Sequence, residues 1–134
     1  MNLPTNVKPI PGFLNKIYTK GLTSFLTQRI YLNEQILNDL KGDKPSHHSI
    51  SILIHEREHL RRKGLKNSIN YVLFRRHRLS EELRAYKKQF AYLKSKGEKY
   101  DLENVAKKLS GPLYLFATNY KNAKKLLENL WNEA

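Results

Sequence analysis

The chain of 134 residues predicts an α+β fold, mostly helical, with a small sheet placed early in the sequence. Three observations carry this. From residue 46 onward, apolar residues recur at helical spacing between recognisable cap residues. β-branched and aromatic residues crowd into residues 22–32, LTSFLTQRIYL. Hydrophobic residues make up 40% of the chain, enough for one modest core, so a single domain over 1–134 is expected.

Taken in order, Pro4, Pro9, Pro11 and Gly12 mark an extended, loosely packed lead-in. Apolar residues at 13, 14 and 17 predict a short helix over 13–20, with Gly21 at its C-cap. One or two strands follow, best defined over 28–32. Asn33 can cap a short helix over 34–40. Pro45 and Ser46 open a helix over 46–63 that ends at Gly64 after a basic last turn. Residues 65–78 read as a connector with a short helix over 69–74. Ser80 can cap a helix over 81–96 that ends at Gly97, with Glu81 and Glu82 in its first turn, where the helix dipole favours carboxylates. Asp101 caps a further helix to Leu109, and Ser110-Gly111-Pro112 breaks it. Thr118 or Asn119 opens a last helix with Ala123, Leu126, Leu127, Leu130 and Trp131 on one side.

There is no cysteine, which excludes disulfides, thiol nucleophiles and thiolate metal sites. Any metal must be held by histidine and carboxylate. No apolar run approaches the ~20 residues of a membrane span, and residues 1–6 lack the apolar core of a secretory signal. A cytoplasmic protein without a membrane partner is the expectation. The net charge of +13 permits nucleic-acid binding, through the clusters at 61–66 and 75–78, but no helix-turn-helix or RNA-binding signature accompanies it. Because basic residues alternate with acidic ones, as in 81–88, the charge is read mainly as a solvated surface.

Within the predicted helix 46–63 stands His55-Glu56-Arg57-Glu58-His59. Residues four apart share a helix face, so both imidazoles can address one ion, and Glu56 lies about a quarter turn away, within reach of a water beside it. A catalytic zinc needs three protein ligands and an open position, so a third must come from elsewhere. Downstream the chain reads Glu81-Glu82-Leu83-Arg84-Ala85-Tyr86. A glutamate followed three residues later by a small residue, after H-E-x-x-H, resembles the gluzincin metallopeptidases. The chain length, the strand-like Arg-Ile-Tyr-Leu before the motif and the tail over 102–131 resemble the single-domain minigluzincins.

The resemblance implies a minimal zincin-like fold with an active-site helix and a glutamate helix. It implies Zn2+ as cofactor, His55, His59 and Glu82 as its ligands, and Glu56 as catalytic base. The reaction would be endoproteolysis of a peptide or protein substrate by a zinc-activated water. It also implies that residues 28–32 form the strand bordering the cleft, and that residues 113–134 act as an inhibitory C-terminal segment of a latent enzyme. Glu81 is the alternative third ligand, but Arg84 rather than a small residue follows it at the same offset. Tyr86 stands where larger gluzincins have an aspartate that supports a ligand histidine. Tyr71, His77 and Tyr92 are candidates for stabilising the oxyanion. His47 and His48 are read as solvent-facing, and Glu58 as an exposed partner of Arg61 or Arg62. A nucleic-acid-binding or regulatory module is the competing function.

Overall fold

The computed structural model describes residues 1–12, 21–24, 28–61 and 65–134. The predicted helix over 13–20 lies outside them. Three short strands, β1 (Val7–Pro9), β2 (Gly21–Ser24) and β3 (Arg29–Leu32), form one sheet in the order β1-β3-β2. β3 pairs parallel with β1, Val7 opposite Ile30, and antiparallel with β2, Gly21 opposite Leu32. The alternation of β3 turns Ile30 and Leu32 into the core and leaves Arg29 outside.

Six helices follow: α1 (Glu34–Lys41), α2 (His47–Arg61), α3 (Leu65–Leu73), α4 (Arg75–Ser95), α5 (Leu102–Leu109) and α6 (Tyr120–Glu133). Four of their starts, those of α1, α2, α5 and α6, are fixed by short polar side chains. Asn33 accepts from the Gln35 amide, Ser46 from Ser49, Asp101 from Asn104 and Asn119 from Asn122. Ser46 also donates its hydroxyl to Asp39 at 2.6 Å, tying the start of α2 to α1 and holding the Asp39 carboxyl below its ordinary pKa. Gly97, at φ +71°, closes α4.

Two hydrophobic cores result. Val7, Ile30, Leu32, Leu37, Leu40, Ile52 and Leu53 join the sheet to α1 and to one side of α2. Tyr86, Phe90, Val105, Ala106, Leu109, Ala123 and Leu127 join α4 to α5 and α6. Between the cores, α2 lies against α4 in the most extensive helix contact of the described residues. Ser51 and Ala85 have no exposed surface there, and their small size lets the backbones approach.

Several expectations are corrected. Gly21 begins β2 and caps no described helix. β1 pairs with β3 inside the stretch read as a loose lead-in. α4 starts at Arg75, so Ser80 is interior to it and Glu81 and Glu82 stand beyond its first turn. The strand read as bordering the cleft, β3, is the central strand with both edges paired; the edge strand beside α2 is β2.

Phe90 is wholly buried, with ring centroids 5.6, 5.4 and 5.3 Å from Tyr86, Tyr100 and Trp131. Phe90→Ala is expected to lower unfolding free energy by about 3–5 kcal/mol in a urea titration. A loss below about 1 kcal/mol would contradict a packed second core.

Candidate metal centre

The α2–α4 interface is polar where it faces neither core. His55 and His59, one turn apart on α2, and Glu82, on the facing side of α4, are each at least nine-tenths buried. The two Nε2 atoms are 3.3 Å apart. Glu82 Oε2 lies 3.4 Å from His55 Nε2, and Oε1 lies 3.4 Å from His59 Nε2. Among the described residues these three form the one group whose donor atoms converge closely enough to hold a metal ion. Tyr71 of α3 donates its hydroxyl to Glu82 Oε1 at 2.6 Å, while Oε2 and His55 Nδ1 have no hydrogen-bond partner among the described residues. A buried carboxylate oxygen whose nearest donor, His55 Nε2, stands off at 3.4 Å is weakly satisfied, which a cation would relieve.

The electrostatics agree with the geometry. Burial would lower the His59 imidazole, but the charge and hydrogen bond of Glu82, with Glu56 and Glu81 behind it, push its pKa up to about 9. Burial would raise the Glu82 carboxyl, but His59 and His55 hold it well below the usual carboxylate range. Burial first, and then the nearby Glu82 charge, pushes the Tyr71 hydroxyl well above its ordinary value, so it remains a donor at neutral pH.

The motif's glutamate, Glu56, is also buried and faces β2. A methyl group on Gly21 would stand 3.2 Å from Glu56 Oε1, 3.2 Å from the Tyr31 carbonyl and 3.0 Å from Leu32 Cδ2. The absence of a side chain at Gly21 is what lets the edge strand pass this close. His55 and Glu56 line a cavity of about 50 Å³ with Gly21, Gln89, Leu113 and Tyr114. That holds a few waters and no peptide.

The other candidates separate cleanly. Glu81 is fully buried but turned aside, accepting from Arg84 at 2.6 Å. Arg84 also reaches Glu58 at 3.3 Å, and Arg61 reaches Glu58 at 3.2 Å. Glu58 is therefore a buried member of an ion network, not an exposed partner. His77 faces Asn67 at 2.8 Å, and Tyr92 lies beside His47 toward the other end of α4. Of the three oxyanion candidates only Tyr71 is at the site. Tyr86 gives His55 no hydrogen bond; its ring meets the imidazole edgewise at 4.4 Å and its hydroxyl is bonded to that of Tyr114. His47 and His48 are half exposed, as expected, though His47 Nδ1 is 2.8 Å from Glu98.

Two residues were missed. Tyr114 brings the C-terminal segment to the pocket. Arg78, read as part of a basic surface cluster, is 4% exposed and donates to the carbonyls of Tyr71, Val72, Tyr114 and Leu115. The available signal was helical periodicity: Arg78, Glu82, Ala85, Tyr86 and Gln89 share one side of α4.

Because His59 holds its proton up to about pH 9, a metal must displace that proton. Below that pH, zinc affinity is expected to rise roughly tenfold per pH unit, with close to one proton released per ion. Titration calorimetry in buffers of different ionisation enthalpy measures both. An affinity flat from about pH 6 to about 8 would remove the protonated His59.

Comparison of the chain with protein-family models, curated proteins and solved structures returns no match, so the site is read from its own geometry.

Proposed function

We propose that the protein is a zinc-dependent metalloendopeptidase of the gluzincin type, held latent by its own C-terminal segment. The observation that carries the reading is the spacing of the three buried donors. A tetrahedron with ligand distances of about 2.0–2.1 Å has edges of about 3.3–3.4 Å. The two imidazole Nε2 atoms stand 3.3 Å apart, such an edge, and each faces its own oxygen of Glu82 at 3.4 Å, Oε2 for His55 and Oε1 for His59, so the carboxylate straddles the position an ion would take. Two imidazoles and one carboxylate are also a donor set that suits zinc, and three protein donors leave a fourth position for chemistry.

A zinc ion held there would supply Lewis acidity toward a water and a peptide carbonyl. The chain's own residues do the remaining work. Glu56, beside His55 in the pocket lining, takes a proton from the attacking water at a carboxylate oxygen and delivers it to the leaving amine. Tyr71 fixes the Glu82 carboxylate through its hydrogen bond, a positioning role. β2, at the edge of the sheet among the described residues and beside Glu56, is the strand offered to an extended substrate.

Latency is supported by how the segment after α5 is held. Leu113 and Tyr114, in a 3-10 turn over Pro112–Tyr114, line the pocket. Arg78 grips the carbonyls of Tyr114 and Leu115, and Arg75 donates to Phe116 at 2.7 Å. Leu115 and Phe116 have φ of 50° and 52°, a left-handed conformation that costs non-glycine residues about 1 kcal/mol or more each. The clamp thus fixes a strained pair directly after the two residues that line the pocket.

The nucleic-acid reading loses part of its footing. Of the 75–78 cluster, Arg78 is buried in the backbone clamp, while Arg75 and Arg76 remain exposed.

In a Tyr114→Ala background, where the pocket is open, Glu56→Gln is expected to bind about one zinc per chain and to lose peptide hydrolysis by about a thousandfold or more. Glu82→Ala is expected to lose the metal itself. Hydrolysis undiminished in Glu56→Gln would remove it as the base; zinc content unchanged in Glu82→Ala would remove that ligand. Removing residues 113–134 does not test latency cleanly, because α6 supplies Ala123 and Leu127 to the second core. Tyr114→Ala opens the pocket and leaves α6 in place. It is expected to raise cleavage of a fluorogenic peptide by about tenfold or more at constant zinc content. Unchanged cleavage in a folded, zinc-loaded variant would reject the segment as the block.

A further inference from the structure

The surface around the α3–α4 junction is apolar in a way the metal centre does not use. Ile69, Val72 and Leu73 lie on one side of α3 at helical spacing, and that side faces solvent. Phe74 follows at the junction. Leu115 and Phe116 sit beside them, because the single guanidinium of Arg78 holds the carbonyls of both Val72 and Leu115. Val72, Leu73, Phe74, Leu115 and Phe116 are each more than half exposed, and Ile69 is 45% exposed. Scattered apolar side chains need no explanation, but six on two segments that one guanidinium holds together do.

The charge around them selects the occupant. No acidic residue occurs between Glu58 and Glu81 or between Glu103 and Glu128, the two stretches that build the patch. Arg75 and Arg76 stand exposed at its edge. A second copy would bring a like-charged rim and another chain of net charge +13 against the first. A nucleic acid would match the cations but leave six apolar side chains in water. An anionic bilayer surface accepts both, with apolar side chains entering the headgroup boundary and arginines pairing with phosphates.

We propose that this face docks the protein onto anionic lipid membranes as a peripheral contact. No described helix is long and apolar enough to cross a membrane, so the contact lies on the surface. This departs from the expectation, drawn from the absence of a span, that membranes play no part. The proposal does not depend on what the metal centre catalyses.

The test is co-sedimentation of the full chain with vesicles of phosphatidylcholine alone and of phosphatidylcholine mixed with phosphatidylglycerol. Binding is expected only to the mixed vesicles and is expected to weaken with salt. The pair Leu73→Ser and Phe74→Ser is expected to reduce it by about tenfold or more, and Arg76→Gln by about fivefold. Both positions of the pair are exposed, and an unchanged circular dichroism spectrum confirms that the variant is folded. No binding to the mixed vesicles would overturn the proposal. So would binding undiminished by the serine pair, which would assign it to diffuse charge. A concentration-dependent dimer abolished by the same pair would assign the face to a second copy instead.

Discussion

The close approach of α2 and α4 is the constraint on which the rest depends. Ser51 and Ala85 are small enough to let the helices meet, and Gln89 donates to the Ser51 hydroxyl across the gap. The sheet and α1 hold one side of α2, while α5 and α6 hold the outer side of α4. Each helix is thus fixed by its own core, and the seam between them can carry groups that no core would accept. Glu82 meets two imidazoles there, and Glu81 is neutralised by Arg84 in the same seam. An unpaired carboxylate at that depth costs several kcal/mol, so the charge of Glu82 has to be matched by a proton on His59 or by a cation. That alternative is what distinguishes the seam, as a candidate site, from an ordinary buried ion pair.

The group that could hold a metal was legible because its pattern is local. H-E-x-x-H places two histidines on one helix face whatever the fold, and a step of about 100° per residue separates Glu82 from Glu81. The structure supplies the reason the neighbour fails: Glu81 points to Arg84 and the Glu58 network, on the flank of the seam. The helix caps at Asn33, Asp101 and Asn119 were legible for the same reason, each being one side chain and one nearby amide.

What the sequence concealed is tertiary. β1 is three residues ending in a proline, and only pairing with β3 makes it a strand. Strand order has no local signature, so the strand expected to border the cleft was placed at 28–32, which is central in the sheet, and Gly21–Ser24 was not singled out as an edge. Ser80 is a good cap residue placed inside a helix, where the packing of α4 against α2 and α3 overrides a preference of about 1 kcal/mol. Arg78 and Glu58 were read as surface because charged residues usually are; both are buried because partners on other segments satisfy them.

Arg78 then connects features that are distant in sequence. Its guanidinium fixes the end of α3, which carries the exposed apolar face, to the turn that brings Tyr114 into the pocket. Leu115 and Phe116 belong to both: their backbone is in the clamp and their side chains are in the patch. If the proposed closure and the proposed docking share residues they are linked, and a ligand shifts a conformational equilibrium only by its differential affinity for the two states. A surface that takes up these side chains in the clamped turn would strengthen the closure of the site. One that takes them up only after the left-handed turn has relaxed would open it. The sign of the coupling therefore follows from which conformation of the turn offers Leu115 and Phe116 better to the surface. The strain in that turn favours release, and the hydrogen bonds of Arg75 and Arg78 oppose it.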